Sequence, residues 1–473
     1  MKVLFAASEA YPFAMSGGLA DVAGALPKAL RNRQVGCRVV MPLYDTVPEE
    51  LRHDMKFLKS ITVPVSWRNQ YCGIFEAKIG KVIYYLLDNE YYFKRGSLYG
   101  FYDDAERFTF FSRAVLEMLR HIDFKPDIIH CNDWQTAMVP VYQTVYYGKD
   151  PFYSGIKTLF TIHNIQYQGK YGMELMDDVL GLPDDAAHLV EYEGCVNLMK
   201  GAIECADSVS TVSPNYANEI LTPWYSHGLD QILSARSWKL NGIINGIDTD
   251  VYNPETDPHI AEHYSADKIY KKLVDKEALL KEVGLPFNEN VPVIGIVSRL
   301  VSHKGIDLVK RVFEDMLQNN VQFVIVGSGE YEYEQFFYNC AARFPDKVAF
   351  RCGFIPSLAH KVYAGADMFL MPSQSEPCGL SQLVALRYGA IPIVRETGGL
   401  SDTISDSGMG KGNGFTFKNY NAHEMAHAVW RAVRGFADHE GWDILVKRAM
   451  ECDNSWDNSA NEYIKLYKNM LGQ

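Results

Sequence analysis

Twice along this chain, short runs of β-branched and aliphatic residues alternate with helical stretches, and that repetition limits the fold more than any other feature. The first series reads as strands over 2–8, 37–43, 126–130 and 157–163, with helices over 17–33 and 104–121 and a hairpin region over 57–87. The second opens at 291–297 and continues with strands over 321–326, 348–352, 368–371 and 391–394, separated by helices that include 306–317 and 379–388. Such alternation builds parallel sheets covered by helices. The expected class is therefore α/β with two Rossmann-like, doubly wound domains, and ligands belong at the carboxyl ends of the strands. The length of 473 residues agrees, since it exceeds what one hydrophobic core usually supports. The segment 240–248, followed by Asn253-Pro254 and a charged helical stretch over 268–283, marks the boundary and gives domains 1–240 plus 456–473, and 241–455.

Composition excludes several function classes. No apolar run approaches the roughly 20 residues of a membrane-spanning helix, and the opening apolar stretch Val3 to Ala7 is stopped by Ser8 and Glu9, too soon for a signal-peptide core. Nine cysteines without any C-x-x-C pair suggest neither a disulfide framework nor a structural metal. The expected setting is a reducing cytoplasm, or a plastid stroma in a plant, although no transit peptide opens the chain. A net charge of −12 without a dense Lys/Arg tract lacks the footprint of a nucleic-acid binder. An anionic substrate would need locally placed cations. No sequence feature sets an oligomeric state.

Several polar clusters fall just after predicted strands. Ser16-Gly17-Gly18-Leu19 and Glu396-Thr397-Gly398-Gly399-Leu400 each join a strand to a helix through two glycines, which serves either an anion cradle or a plain tight turn. Arg299 and Lys304 follow the strand 291–297 and place two cations where a diphosphate would sit; singly, each is an ordinary solvated residue. Glu376, in Ser375-Glu376-Pro377-Cys378-Gly379-Leu380, suits a carboxylate that stabilises positive charge on a glycosyl carbon or binds sugar hydroxyls, or else a helix-terminus partner. Asp133-Trp134 and His163-Asn164 end two successive strands, so their side chains are expected at one rim, with Trp134 as a flat platform for a sugar ring. Asp248-Thr249-Asp250 reads as turn chemistry rather than a metal site, and no metal is expected.

In this order and spacing, Ser8-Glu9, Gly17-Gly18-Leu19 with Asp21, Asn132-Asp133-Trp134, Thr161-Ile162-His163-Asn164, Asn245-Gly246 with Asp248, Ser298-Arg299, Lys304-Gly305, Glu376 to Leu380, and Thr397 to Leu400 resemble the bacterial glycogen synthase and plant starch synthase family. The resemblance spans essentially the whole chain. It implies the glycosyltransferase B fold, two facing Rossmann-like domains with a deep interdomain cleft, and a terminal helix over 456–470 that returns to the first domain. It also implies a retaining transferase that moves glucose from ADP-glucose to the non-reducing 4-hydroxyl of an α-1,4-glucan. No cofactor is implied, the nucleotide sugar being a substrate.

By the same resemblance the catalytic set is Glu376, His163, Arg299, Lys304 and Asp133, with Arg299 and Lys304 on the donor diphosphate and Glu376 and His163 flanking the glucosyl group. Donor binding falls to Gly17, Gly18, Asp21, Asn245, Cys378, Gly379, Leu380, Thr397 and Gly398, with Phe354 stacked on the base, and the sugar or acceptor side to Tyr99 and Trp134. One departure stands out: the family usually reads Lys-x-Gly-Gly-Leu, and this chain has Met15 in place of that lysine. The loss leaves open UDP-glucose as the preferred donor, or a catalytically impaired glucan-binding homologue. A two-domain transferase forming sucrose or trehalose is the more distant alternative.

Overall fold

Apolar runs of the two series become strands buried on both faces, as parallel strands under helical layers must be. The computed structural model describes residues 1–353 and 355–473, in two compact units: Met1–Asn245 with Trp456–Gln473, and Gly246–Ser455.

The first unit begins with β1 (Lys2–Ala6), β2 (Gly36–Pro42), β3 (Lys56–Val65), β4 (Arg68–Ile79), β5 (Val82–Asp88), β6 (Ile128–Asn132) and β7 (Lys157–Ile162). A small three-stranded sheet follows, β8 (Lys170–Tyr171), β9 (Glu191–Tyr192) and β10 (Cys195–Asn197), before β11 (Ser208–Thr211) and β12 (Leu240–Gly242). The main sheet runs β12-β11-β7-β6-β1-β2-β5-β4-β3. All its pairs are parallel except those made by β4, which forms antiparallel pairs with β3 and β5. The helix Trp456–Met470 belongs to this unit: Trp456, Tyr463 and Tyr467 are buried, Tyr467 Oη bonds His130 Nδ1 at 2.7 Å, and Asp457 pairs with Arg33 at 2.7 Å.

The second unit carries one fully parallel sheet of β13 (Val293–Val297), β14 (Gln322–Gly327), β15 (Val348–Cys352), β16 (Met368–Met371), β17 (Ile391–Arg395) and β18 (Phe415–Phe417), in the order β15-β14-β13-β16-β17-β18. That order reverses direction between β13 and β16. In the first unit the reversal lies between β1 and β6, which flank each other while β2 lies on the other side of β1. In open α/β sheets the crevice outside the carboxyl ends at such a switch point takes the ligand. Topology alone thus selects the loops after β1 and β6 in one unit, and after β13 and β16 in the other.

The division between units falls after Asn245, five residues beyond the expected 240/241, because Leu240–Gly242 pairs with β11 as an edge strand. Asn245 therefore sits in the first unit rather than the second. Asp248 Oδ1 accepts from the Asp250 N–H at 2.9 Å, a local turn bond. Among the described residues no helix is long and apolar enough to cross a membrane, and no group of three or more His, Cys, Asp or Glu is arranged to hold a metal ion.

Candidate active site

In the second unit the loops after β13, β16 and β17 converge on Glu376. Its side chain is buried, and Oε2 accepts from Lys304 Nζ at 2.7 Å and from Ser373 Oγ at 2.9 Å. The loop carrying Lys304 lies against the next: a Cβ on Gly305 would stand 2.1 Å from Pro372 O, and the Gln374 N–H donates to His303 O at 2.9 Å. Arg395, also buried, holds the far side by donating to Gln374 O at 2.6 Å and Ser373 O at 3.4 Å. Arg299 is exposed, and its guanidinium has no ion-pair partner among the described residues. Burial, with the nearby charges of Lys304 and Arg299, lowers the His303 pKa. Two cations and one carboxylate therefore gather at the switch point, with one cation uncommitted.

The glycines of Thr397-Gly398-Gly399 have a structural task. Gly398 adopts φ +45, where a Cβ would lie 1.9 Å from Glu376 O, and a Cβ on Gly399 would lie 2.2 Å from Cys378 O. The Gly399 N–H donates to Glu376 O and Pro377 O, each at 3.1 Å. The helix Gly398–Thr403 is thus pressed onto the loop 376–378, and this pair of glycines is required by close packing of backbone on backbone. Thr397 is fully buried beneath this contact, and Cys378 nearly so. Gly379 and Leu380 are half-exposed. Phe354 lies outside the described residues.

In the first unit, Asp133 follows β6 with φ 56 and ψ 178, a region almost confined to glycine and tolerated only where the surroundings enforce it. The enforcement comes from β7: Asp133 Oδ1 accepts from the His163 N–H at 2.7 Å. Burial pushes the Asp133 carboxyl up to about 7, with the Glu9 charge adding to the rise and the N–H groups of His163 and Asn164 opposing it. His163 is held neutral, its pKa brought down to about 3 by burial. Asn132 Nδ2 donates to Ala6 O at 3.0 Å and His130 O at 3.2 Å, so its Oδ1 must accept from His163 Nε2 at 2.8 Å. That fixes the tautomer with the proton on Nε2 and leaves Nδ1 as an acceptor.

Tyr99 reaches the same region, its Oη bonded to Ser8 Oγ at 2.7 Å. The loop after β1 holds a carboxylate, Glu9, that belongs to the family resemblance but to which sequence reasoning assigns no role in the site. Glu9 is buried, with Oε2 accepting from Ser16 N–H at 2.7 Å and Ser16 Oγ at 2.6 Å, and burial raises its pKa. Part of the expected anion cradle at Ser16-Gly17-Gly18 is therefore already used, because a buried carboxylate takes the nearest donors. Gly17 is exposed and extended at φ −161, and a Cβ there would approach nothing nearer than Glu9 Oε1 at 3.8 Å. Asp21 lies in the first turn of the helix Gly18–Asn32, favourable to its dipole. Met15 is 45% exposed.

One expectation is corrected. Trp134 is not an open platform: its indole packs edge-on against Phe108 with centroids 5.3 Å apart, and a Cβ on Gly169 would lie 2.8 Å from its Cε3. It contributes only a margin to a cavity of about 420 Å³ lined also by Tyr167, Lys170, Tyr171 and His227, in which the exposed aromatic ring is Tyr167. Asn245 follows β12, and its buried Oδ1 has no hydrogen-bond partner among the described residues.

The raised Asp133 pKa sets a stability prediction. An unfolded aspartate ionises near 3.8 while the folded one resists until about 7, so native stability falls as pH rises through that window and stays lower above it. Asp133→Asn keeps an acceptor oxygen without the charge. Its melting temperature is expected to gain on the wild type between pH 4 and pH 7, by the equivalent of ~2 kcal/mol at pH 8. A difference that stays constant across that range would contradict it.

A family model described as the starch synthase catalytic domain matches residues 2–235, and one described as glycosyl transferases group 1 matches 280–436. Glycogen synthase of Bacillus anthracis is 52% identical over 475 residues, covering 100% of both chains. Glycogen synthase of Anoxybacillus flavithermus is 50% identical, covering 100% of this chain and 98% of the relative. Among solved structures, the catalytic domain of starch synthase IV from Arabidopsis thaliana bound to ADP and acarbose matches with a TM-score of 0.92 at 34% identity, over 100% of this chain and 99% of that one. A sucrose-phosphate synthase from Thermosynechococcus elongatus, at TM-score 0.62 and 16% identity over 100% and 99%, shares the fold alone.

Proposed function

Because the chain belongs to the glycogen synthase and starch synthase family, with the glycosyltransferase B fold, we propose that it uses ADP-glucose as donor and adds glucose, with retention, to the non-reducing 4-hydroxyl of an α-1,4-glucan. The family fixes a glycosyltransferase that takes a nucleotide sugar and a glucan. The choice of adenine nucleotide draws on the Arabidopsis relative, which is bound to ADP and acarbose. Nine free cysteines suit the cytoplasm.

The observation that carries the residue roles is the uncommitted Arg299 next to the Lys304–Glu376 pair, 2.7 Å apart, at the β13–β16 switch point. In this reading Arg299 and Lys304 offset the charge that gathers on the diphosphate as the glycosidic bond breaks, with Gly379 and Leu380 adding N–H donors. No cofactor is required, since these cations supply the electrostatic stabilisation. Glu376, one oxygen already shared by Lys304 and Ser373, accepts glucosyl hydroxyls and steadies an oxocarbenium-like centre rather than attacking it. His163 Nδ1 offers a fixed acceptor to a sugar hydroxyl, and the acceptor glucan occupies the cavity beside Trp134, against Tyr167.

A donor panel tests the assignment. Initial rates with a maltooligosaccharide acceptor are expected to favour ADP-glucose over UDP-glucose, and a clear win for UDP-glucose would sink the donor assignment. Met15 places no cation beside Ser16-Gly17, so Met15→Lys is expected to lower the donor KM about tenfold, the value of one charge-assisted contact. An unchanged donor KM refutes that role for the position.

A further inference from the structure

One side-chain amide holds the two donor loops of the second unit together. Gln382 is fully buried, and its Nε2 donates to Cys378 O at 3.0 Å, Gly379 O at 2.9 Å and Thr403 Oγ1 at 3.4 Å. Thr403 Oγ1 donates onward to Gly399 O at 2.6 Å, and the Gly399 N–H returns to Glu376 O at 3.1 Å. The loop 376–380 and the helix Gly398–Thr403 are thus tied through this amide as well as through the direct Gly399 N–H bonds. Its Oε1 is buried without a hydrogen-bond partner among the described residues, so the donors alone set its orientation.

The planar trans peptide turns that tie into a directional device. An N–H points opposite to the C=O of the same peptide unit. With Cys378 O and Gly379 O both drawn onto Gln382, the N–H groups of Gly379 and Leu380 must face the other way. Neither has a hydrogen-bond partner among the described residues, and both residues are half-exposed. Gly379 permits this at φ +73, with a Cβ there falling 2.4 Å from Gln382 Oε1.

We propose that Gln382 is a positioning residue for the transfer step: it aims the Gly379 and Leu380 N–H groups at the departing diphosphate and locks the Glu376 loop to the helix Gly398–Thr403. The proposal rests on the reading that these N–H groups belong to the donor site. It makes Gln382 act through the backbone of its neighbours, without touching substrate.

Two near-isosteric variants test it. Gln382→Glu sets a carboxylate against two carbonyl oxygens, and only its protonated form donates a hydrogen. Gln382→Met has similar length and no donor. Both are expected to lose about 10- to 100-fold in kcat with ADP-glucose, with a smaller change in donor KM and none in glucan KM, because the diphosphate carries more negative charge in the transition state than in the bound donor. Relative to wild type, Gln382→Glu is expected to regain activity as pH falls from 8 to 5.5, whereas Gln382→Met is not. Wild-type kinetics in both variants, with only a lowered melting temperature, would overturn the inference and leave a purely structural glutamine. Arg299→Ala runs alongside: if it too is harmless, the donor-site reading fails and takes this one with it. If it is damaging while both Gln382 variants are not, only the positioning role fails.

Discussion

Glu376→Gln is expected to fold and to lose about 100- to 1,000-fold in kcat, the scale seen when one preorganised electrostatic contact is removed from a transition state. The carboxylate has two tasks that an amide cannot share. It neutralises Lys304 at 2.7 Å in a nearly buried position, and under the proposed function its remaining capacity is to face a sugar whose charge rises as the glycosidic bond breaks. Lys304→Ala should be comparably damaging, because it strands the buried carboxylate as well as losing the phosphate contact proposed for it. The two changes act on one pair, so the double variant is expected to lose much less than the product of the single losses. Single-turnover rates with saturating donor and maltooligosaccharide check this. A Glu376→Gln enzyme within tenfold of wild type would remove Glu376 from the transition state.

Elements with long periodic apolar patterns were readable from residues alone. The helix Ile306–Leu317 and the strand Val348–Cys352 fall where their spacing placed them, and the helix Trp456–Met470 falls where the family resemblance placed it. The strand Ser208–Thr211 gave no such signal, for a physical reason: it is fully buried yet rich in hydroxyls, stabilised sideways by Thr211 Oγ1 donating to Ile162 O at 2.7 Å and by Ser210 Oγ bonding Thr161 Oγ1 at 2.6 Å. Hydrophobic periodicity cannot register a strand that satisfies its polar groups this way. The same limit applies at the site. Glu376 and Lys304 announce themselves by charge in a strand-end loop, but Gln382, Arg395 and Glu9 matter through which backbone groups they meet, and only the folded chain brings those groups to them. Trp134 shows the converse: its chemistry suggested a platform, and packing against Phe108 claimed the ring instead.

The two Gly-Gly pairs, alike in sequence, are expected to respond in opposite ways to added methyl groups. At Gly398 the new Cβ would fall 1.9 Å from Glu376 O on a backbone at φ +45, so the helix Gly398–Thr403 must shift or the loop beneath it must yield. Strain at positive φ and overpacking each cost ~1–3 kcal/mol. Gly398→Ala is therefore expected to lower the melting temperature by several degrees, break the Gly399 N–H bond to Glu376 O, and reduce kcat by about 100-fold through displacement of Glu376. Gly17 is extended, and its Cβ would meet nothing closer than 3.8 Å, so Gly17→Ala should melt like the wild type. Any rise in its donor KM then reports a ligand that needs the space a Cβ would fill, since the fold itself does not. Equal melting temperatures for the two variants would show that backbone contact between the helix Gly398–Thr403 and the loop 376–378 does not hold Glu376 in place. A Gly17→Ala enzyme with unaltered donor KM would take the loop after β1 out of the donor site.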